Sequence, residues 1–260
     1  QQPININNSI DEIYHLACPA SPPKYQKNPL YTLNTCFNGT INVLEFARQK
    51  KAKVLFASTS EIYGEPEISP QDESYRGNVN TLGIRACYDE GKRIGETLMM
   101  EYHRLHNIDV RIARIFNTYG SLMDPYDGRV ISNFINQALY DKDITIYGDG
   151  NQTRSFCYIQ DQLNGLTKLM ETDYNLPVNI GNPETFTINE LATIIIELTN
   201  SKSKLIYKKL PEDDPTNRKP DINLAKKILN WTPQTNIQDG LINTIHYFKT
   251  YIIDINLDNF

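Results

Sequence analysis

The chain has 260 residues, a formal net charge of −5, 40% hydrophobic residues and 22% charged residues. This length and apolar content are enough for one large domain or two small ones with a sizeable core. The acidic balance and the lack of a basic stripe argue against nucleic acid as a partner, and no apolar run reaches the roughly 20 residues of a membrane span.

The first half of the chain alternates apolar runs with amphipathic segments. We predict strands at 11–17, 53–59 and 109–115, a Pro-rich loop at 18–29, and helices at 31–50 and 88–106. The run at 53–57 is short and mostly apolar, which is typical of a buried parallel strand. An open α/β sheet is therefore predicted, and ligands bind such sheets at the carboxyl ends of the strands.

After Gly120 the pattern breaks into shorter pieces. We predict helices at 129–141, 161–171 and 188–199, strands at 144–147 and 178–180, a turn at 148–150, a loop at 210–220 and two short terminal helices. Thr187 is followed three residues later by Glu190, which is the spacing of a capping box at a helix start.

Two side chains one helical turn apart stand out in the segment 87–92. Tyr88 and Lys92 share one face of the predicted helix. A neighbouring ammonium favours the phenolate, so we expect Lys92 to lower the pKa of Tyr88 below its usual value of about 10. A Tyr and a Lys four residues apart are common on solvent-exposed helix faces, so this spacing by itself does not indicate a site. The polar segment 58–64, directly after a strand, supplies the context for a proton-transfer site.

The cysteines give no sign of a metal site or a disulfide framework. Cys18, Cys36, Cys87 and Cys157 are scattered, without pairing or ligand spacing. We therefore expect reduced thiols, no bound metal and a cytoplasmic location.

Several longer motifs follow one another in order. They are Tyr14-His15-Leu16-Ala17, Pro19-Ala20-Ser21-Pro22-Pro23, Ser58-Thr59-Ser60-Glu61-Ile62-Tyr63-Gly64, Arg85-Ala86-Cys87-Tyr88-Asp89-Glu90-Gly91-Lys92-Arg93, Ala113-Arg114-Ile115-Phe116-Asn117-Thr118-Tyr119-Gly120, Asp127-Gly128-Arg129-Val130, Gln152-Thr153-Arg154-Ser155-Phe156 and Arg218-Lys219-Pro220-Asp221. With these motifs the chain resembles, from Asp11 to about Phe248, the extended short-chain dehydrogenase/reductase superfamily, and within it the UDP-glucuronate decarboxylases (UDP-xylose synthases).

The resemblance implies a Rossmann-like, doubly wound parallel sheet with a smaller C-terminal substrate-binding lobe. Residues 1–120 would be the remainder of the NAD-binding domain, and 121–260 mainly the lobe, with about 155–182 returning to the first domain. Members of this family begin with a Gly-x-x-Gly-x-x-Gly turn that cradles the cofactor pyrophosphate. The sequence has no such motif, so we expect it to be part of a longer chain whose first three strands, roughly 70 to 80 residues, are absent here.

The resemblance also implies roles for particular residues. Tyr88 and Thr59 would move the proton of the sugar 4′-hydroxyl, with Lys92 supporting Tyr88. Ser60 and Glu61 would assist the loss of carbon dioxide. NAD would be held by Leu16, Ala17, Thr35, Ser58, Tyr88, Lys92, Thr118 and Arg129. The UDP-sugar would be bound by Pro19, Ser21, Asn117, Arg129, Asn133, Tyr147, Arg154 and Arg218. Many relatives have Asn at the position of Cys36, so the cofactor contact there departs from the family pattern.

The expected reaction is NAD-dependent decarboxylation of UDP-glucuronate to UDP-xylose through a 4-keto intermediate, carried out by a homodimer. A 4,6-dehydratase and a 4-epimerase share the Thr, Tyr and Lys residues. The dehydratases usually have an Asp-Glu pair where this chain has Ser60 and Glu61, which favours decarboxylation. An alternative of another class is a non-catalytic protein that binds a sugar nucleotide.

Overall fold

A computed structural model describes residues 3–210, 215 and 217–257. The strands are β1 (Glu12–His15), β2 (Lys53–Thr59), β3 (Val110–Ile115), β4 (Thr118–Tyr119), β5 (Ile144–Tyr147), β6 (Thr153–Ser155), β7 (Cys157–Tyr158), β8 (Pro177–Ile180), β9 (Thr185–Thr187), β10 (Leu205–Lys208) and β11 (Asn217–Arg218). The helices are α1 (Pro22–Lys27), α2 (Pro29–Asn34), α3 (Thr40–Lys50), α4 (Ala86–His106), α5 (Val130–Leu139), α6 (Ile159–Glu171), α7 (Ile188–Thr199), α8 (Asn223–Leu229) and α9 (Ile237–Leu257). None of these helices is both long and apolar enough to cross a membrane.

A four-stranded parallel sheet forms the centre of the first half, in the order β1-β2-β3-β8. Successive residues of β2 point to opposite faces, as strand geometry requires. Val54 and Phe56 join a core with α3 and α4, and Leu55 joins another with α6 and α8. The sheet is therefore covered by helices on both faces, and the predicted doubly wound α/β fold is confirmed.

The region predicted as one helix at 31–50 has an interruption. Between α2 and α3 lies a π-helical turn, Thr35–Gly39, and a further helix, α1, occupies the Pro-rich segment that we predicted as a loop. Both α1 and α2 carry Pro in their first turn, where the missing N–H costs nothing. π-helical turns often occur at functional sites.

The second half of the chain builds a separate core around α5, α7 and α9. Helix α7 begins at the predicted residue with the predicted capping box. The expectation of two short terminal helices is wrong for α9, which has 21 residues. Part of the predicted loop 210–220, namely 211–214 and 216, lies outside the described residues. Segment α6–β8 packs on the parallel sheet. The domain division, with its boundary near residue 120 and the return of about 155–182, stays a prediction.

A buried polar contact joins β2, β3 and α4 beneath the end of the sheet. Glu96 accepts hydrogen bonds from Ser58 Oγ at 2.5 Å and from Arg114 Nη2 at 2.8 Å. Arg114 also donates to the Tyr63 hydroxyl at 3.0 Å, and Tyr63 donates to Asn179 Oδ1 at 2.8 Å. Ser58 therefore has a fixed position relative to α4, one residue before Thr59.

Helix α4 approaches the sheet closely because Gly95 has no side chain. A Cβ at Gly95 would lie 2.4 Å from Cζ of the buried Phe56. Replacing an exposed Gly in a helix by Ala raises the free energy of unfolding by about 1 kcal/mol. Overpacking a core lowers it by about 1–3 kcal/mol. We expect Gly95→Ala to lower the free energy of unfolding in urea, whereas the control Thr97→Ala, on the exposed face of α4, should not. A stabilised Gly95→Ala variant would contradict this packing.

Candidate active site

A cleft of about 760 Å³ opens where β1, β2 and β3 end. Its walls are the segments that follow these strands, the first turns of α4, the start of α5 and one side of α6. The volume is within the usual range of small-molecule sites. The cleft lies at the carboxyl edge of the parallel sheet, as predicted for a ligand site.

Thr59, Tyr88 and Lys92 line the cleft together. Thr59 Oγ1 accepts the backbone N–H of Glu61 at 3.2 Å, and its hydroxyl lies beside the Tyr88 phenol. The Lys92 ammonium donates to the carbonyl of Ala57 at 2.7 Å and lies 5.9 Å from the centre of the Tyr88 ring. The two side chains predicted to share one helix face are therefore both turned to the end of β2.

The expected lowering of the Tyr88 pKa is wrong for the protein without ligands. Burial raises the pKa of Tyr88, and the nearby Thr59 hydroxyl offsets only part of that rise. Burial also lowers the pKa of Lys92. The Lys92 ammonium is held by the Ala57 carbonyl and lies 4.9 Å from the centre of the Phe56 ring.

Tyr88 is held from one side by a second tyrosine that the sequence analysis did not identify. The rings of Tyr25 and Tyr88 stack with centroids 5.0 Å apart and an interplanar angle of 6°. Tyr25, from α1, is buried and lines the same cleft. No spacing signal links the two residues, since the helix that carries Tyr25 was predicted as a loop.

Glu61 is clamped between two guanidinium groups. Its Oε2 accepts Arg85 Nη2 at 2.5 Å and Arg218 Nη2 at 3.2 Å, and Arg218 also donates to the Gly64 carbonyl at 2.7 Å. Burial raises the pKa of Glu61, but Arg218 and Arg85 outweigh it and lower the pKa to about 2. Glu61 is therefore ionised at neutral pH and accepts hydrogen bonds from both arginines.

Asp89 is a second group that the sequence analysis did not single out. Its side chain is buried, and Oδ1 has no hydrogen-bond partner among the described residues. Burial, followed by the negative charge of Glu61, raises the pKa of Asp89 to about 7. Arg85 and Asp89 both flank Tyr88 within one helical turn, and this proximity is the signal that could have identified them.

The wall opposite Tyr88 carries the residues predicted for the nucleotide. Asn117, Arg129, Asn133, Tyr147 and Arg154 all line the cleft. Arg129 pairs with Asp127, and Arg154 donates to the carbonyls of Thr153 and Pro215. Two guanidinium groups on one wall suit the diphosphate of a sugar nucleotide, since arginine binds phosphate oxygens bidentately.

The remaining predicted residues divide into two groups. Leu16, Ser58, Ser60 and Thr118 line the cleft, whereas Ala17, Pro19, Ser21, Thr35 and Arg218 do not. Thr35 lies in the π-helical turn and donates to the Tyr31 carbonyl at 2.8 Å. Arg218 is almost fully buried behind Glu61, so without rearrangement it acts on the cleft through that carboxylate.

The cleft wall near Thr118 has unsatisfied polar groups that fit part of a nicotinamide cofactor. Gln162 Nε2 is buried without a partner among the described residues, although its Oε1 accepts Thr118 Oγ1 at 3.3 Å. A buried amide N–H without an acceptor is costly, and a polar ligand in the cleft would satisfy it. Together with the Lys92 ammonium, this donor suits the carboxamide and ribose end of NAD.

His15, which is close to Lys92, makes the free energy of unfolding depend on pH. It is buried, its Nε2 lies 3.0 Å from Thr40 Oγ1, and burial followed by Lys92 lowers its pKa to about 4. The unfolded chain binds a proton on this group below about pH 6.5, while the folded one does so only near pH 4. The neutral imidazole of His15 therefore contributes fully to the free energy of unfolding above pH 6.5. This contribution is lost as the pH falls towards 4, and about 2 kcal/mol of it is lost at pH 5.

The test is to compare urea unfolding at pH 7.5 and pH 5. Between pH 7.5 and pH 5 we expect the free energy of unfolding to fall by about 2 kcal/mol more in the wild type than in His15→Gln. The variant comparison isolates His15, because the raised pKa of Asp89 stabilises both proteins on acidification. His246→Gln, on the exposed face of α9, serves as control and should behave as the wild type. Equal losses in wild type and His15→Gln would exclude a neutral buried imidazole.

Comparison with known proteins agrees with this geometry. The family model described as GDP-mannose 4,6 dehydratase matches residues 4–244. UDP-glucuronic acid decarboxylase 5 of Arabidopsis thaliana is 54% identical over 232 residues, which are 89% of this chain and 68% of that protein. UDP-glucuronic acid decarboxylase 1 of Danio rerio is 52% identical over 240 residues, 92% of this chain and 57% of that protein.

Solved structures give the same fold. The UDP-glucuronic acid 4-epimerase from Bacillus cereus, in complex with UDP-glucuronic acid and NAD, superposes with a TM-score of 0.85 at 29% identity. The match covers 93% of this chain and 76% of the epimerase. The chain therefore belongs to the extended short-chain dehydrogenase/reductase family that the GDP-mannose 4,6 dehydratase model describes, and within it to the group of the UDP-glucuronic acid decarboxylases.

Proposed function

We propose that the protein decarboxylates UDP-glucuronate to UDP-xylose through a 4-keto intermediate, with NAD as a catalytic cofactor. The observation that carries this proposal is the pair of groups at the end of β2. A Thr59–Tyr88–Lys92 constellation lies beside an ionised Glu61 that gathers two arginines. Thr59, Tyr88 and Lys92 can move a proton at a sugar hydroxyl. The two arginines held by Glu61 supply the positive charge that a substrate carboxylate requires.

The chain's own residues move the proton. Tyr88 accepts the proton of the sugar 4′-hydroxyl, and Thr59, beside Tyr88, orients that hydroxyl. NAD, when bound near Lys92 and Gln162, supplies the exchange of hydride with C4′ of the sugar. Lys92 holds a positive charge near the ribose, and the other contacts that we propose for NAD are Leu16, Ala17, Thr35, Ser58, Thr118 and Arg129.

Decarboxylation follows from the chemistry of the ketone. Once C4′ is a carbonyl, the carboxylate on C5′ lies β to it, and the carbon–carbon bond breaks with its electrons passing into an enolate. Arg85, which lines the cleft, orients the carboxylate, and Arg218 acts through Glu61. The buried Ser60 hydroxyl also lines the cleft. Because the pKa of Glu61 is about 2, we assign it to holding Arg218 and not to protonating C5′.

The rest of the cleft would hold the nucleotide. We propose that Arg129 and Arg154 bind the diphosphate, and that Pro19, Ser21, Asn117, Asn133 and Tyr147 complete the sugar-nucleotide site. A cytoplasmic location, in keeping with four free cysteines, is part of the same proposal.

We also propose a homodimer built on α2 and α4. Exposed apolar side chains on these helices and the π-helical turn support it, among them Leu30, which is 77% exposed, Phe37 and Leu105. Such a self-complementary face is typical of a two-fold interface. Sedimentation equilibrium of the wild type and of Leu30→Asp tests it, and a monomeric wild type at micromolar concentration would exclude the dimer.

The decisive experiment follows the nucleotide sugar by mass spectrometry after incubation with UDP-glucuronate, with and without added NAD. We expect a UDP-pentose with loss of carbon dioxide. Loss of water from UDP-glucose would instead indicate a 4,6-dehydratase, and a C4′ epimer of unchanged mass, resolved by chromatography, a 4-epimerase. Binding of UDP-glucuronate without turnover, in protein shown to hold NAD, would point to a non-catalytic role.

A further inference from the structure

Two cysteine thiols touch each other at the edge of the candidate active site. Cys18 Sγ and Cys36 Sγ are 3.2 Å apart, although the residues are separated by 18 positions. Cys18 lies in the segment after β1, and Cys36 in the π-helical turn between α2 and α3. The proposed reaction uses neither thiol.

The two thiols differ in access. Cys18 is partly exposed and lines the cleft, so a small solute in the cleft can reach it. Cys36 is only 2% exposed. A Cβ at Gly91 of α4 would lie 2.9 Å from Cys36 Sγ, so the thiol is packed tightly against this helix. Cys36 is thus the fixed member of the pair, and Cys18, in a connecting segment, is the one that can move.

The two thiols also differ in acidity. A hydrogen bond from Cys36 lowers the pKa of Cys18 to about 7, with burial opposing and Lys92 assisting, while the same contact raises the pKa of Cys36. A thiolate is the nucleophilic form of cysteine. Because Cys18 is also the thiol that lines the cleft, it is the reactive member of the pair, and Cys36, 3.2 Å away, is the neighbour that can resolve its oxidation product.

We propose that Cys18 and Cys36 form an oxidation site for peroxides, which closes to a disulfide at the cleft edge. The Cys18 thiolate attacks one peroxide oxygen, the O–O bond breaks, and Cys18 becomes a sulfenic acid as the peroxide leaves as hydroxide or alkoxide, which takes up a proton. Cys36 sulfur then attacks Cys18 sulfur, the S–O bond breaks, and the thiol proton leaves with the hydroxyl as water. Two thiols and one hydrogen peroxide thus give one disulfide and two waters.

The disulfide would act on the cleft through the segment that carries Cys18. Disulfide sulfurs are about 2.05 Å apart, so Cys18 Sγ must move about 1 Å closer to Cys36 in the π-helical turn. Leu16 and Ala20 of this segment line the cleft, and displacements of about 1 Å can cost a hundredfold in rate. We expect peroxide to lower turnover and a thiol reductant to restore it. This effect on turnover rests on the proposed function, whereas formation of the disulfide does not.

The test treats the folded protein with hydrogen peroxide, blocks free thiols with N-ethylmaleimide in denaturant, and maps tryptic peptides without reduction. Cys18, Cys36, Cys87 and Cys157 fall on different tryptic peptides, because Lys24, Lys27, Arg85 and Arg154 separate them. We expect one cross-linked species that joins the Cys18 and Cys36 peptides, two hydrogens lighter than their sum.

Variants assign the order of events. In Cys36→Ser, dimedone should trap a sulfenic acid at Cys18, and in Cys18→Ser no adduct should form at Cys36. Cys157→Ser, a buried thiol remote from the pair, is the matched control and should give the wild-type yield of disulfide. A Cys18–Cys87 disulfide, or Cys18 sulfenic acid that persists in the wild type, would overturn the proposal. Disulfide with unchanged turnover in an enzyme active before oxidation would overturn the regulatory part alone.

Discussion

Tyr88→Phe is expected to lower kcat for UDP-glucuronate by about 10³-fold, within the range that positioned acid–base groups contribute. The substitution removes only the hydroxyl that lies beside Thr59. It keeps the ring that stacks on Tyr25, so the thermal midpoint should change little. Formation of the UDP-pentose at saturating NAD and substrate measures the loss.

The matched control is Tyr140→Phe, at the end of α5, which removes a hydroxyl from a half-exposed tyrosine outside the cleft. It should keep the wild-type rate. If Tyr88→Phe retained more than a tenth of the activity, the proton acceptor would have to be another group. Asp89, buried and with a pKa of about 7, would be the first to test.

Arg218→Gln is expected to lower the free energy of unfolding by about 3 kcal/mol or more, because removing one member of a buried ion pair leaves the other charge uncompensated. Arg218 is 1% exposed, and its guanidinium contacts Glu61 and the Gly64 carbonyl. Urea unfolding measures this loss. The variant should also raise KM for UDP-glucuronate, since the proposed carboxylate site loses a cation.

Arg104→Gln is the control for a surface pair. Arg104 contacts Glu101 on the exposed side of α4, and such pairs contribute less than about 1 kcal/mol. A double-mutant cycle with Glu61→Gln separates the ion pair from the other contacts of Arg218. We expect Arg218→Gln and Glu61→Gln together to cost less than the sum of the single changes. Additive losses would show that the Gly64 carbonyl, and not Glu61, is the main partner of Arg218.

Local signals predicted the elements that lie beneath the site. Strand β2 and helix α7 begin and end at the predicted residues, because an apolar run and a capping box are properties of a few neighbouring residues. The grouping of Thr59, Tyr88 and Lys92 was also predictable. Strand ends and one helix face bring residues together by simple geometry.

What the sequence did not reveal depends on distant contacts. Glu61 meets Arg85 across 24 residues and Arg218 across 157, and no spacing rule connects residues so far apart. The pKa of Tyr88 was mispredicted for a related reason, since burial was unknown and outweighed the nearby ammonium. The π-helical turn has no sequence signature of its own, and it places Cys36 against Cys18.

The contact of Glu96 with Ser58 and Arg114 sets the position of helix α4 along the sheet. Apolar contacts have no preferred direction, whereas a carboxylate and a guanidinium match in only one register. A slip of α4 along β2 by one residue would separate these charges, and breaking a buried pair costs about 3–5 kcal/mol. The relative placement of Thr59 and Tyr88 is thus a discrete choice rather than an average, and the loosening of neighbouring apolar contacts leaves it unchanged.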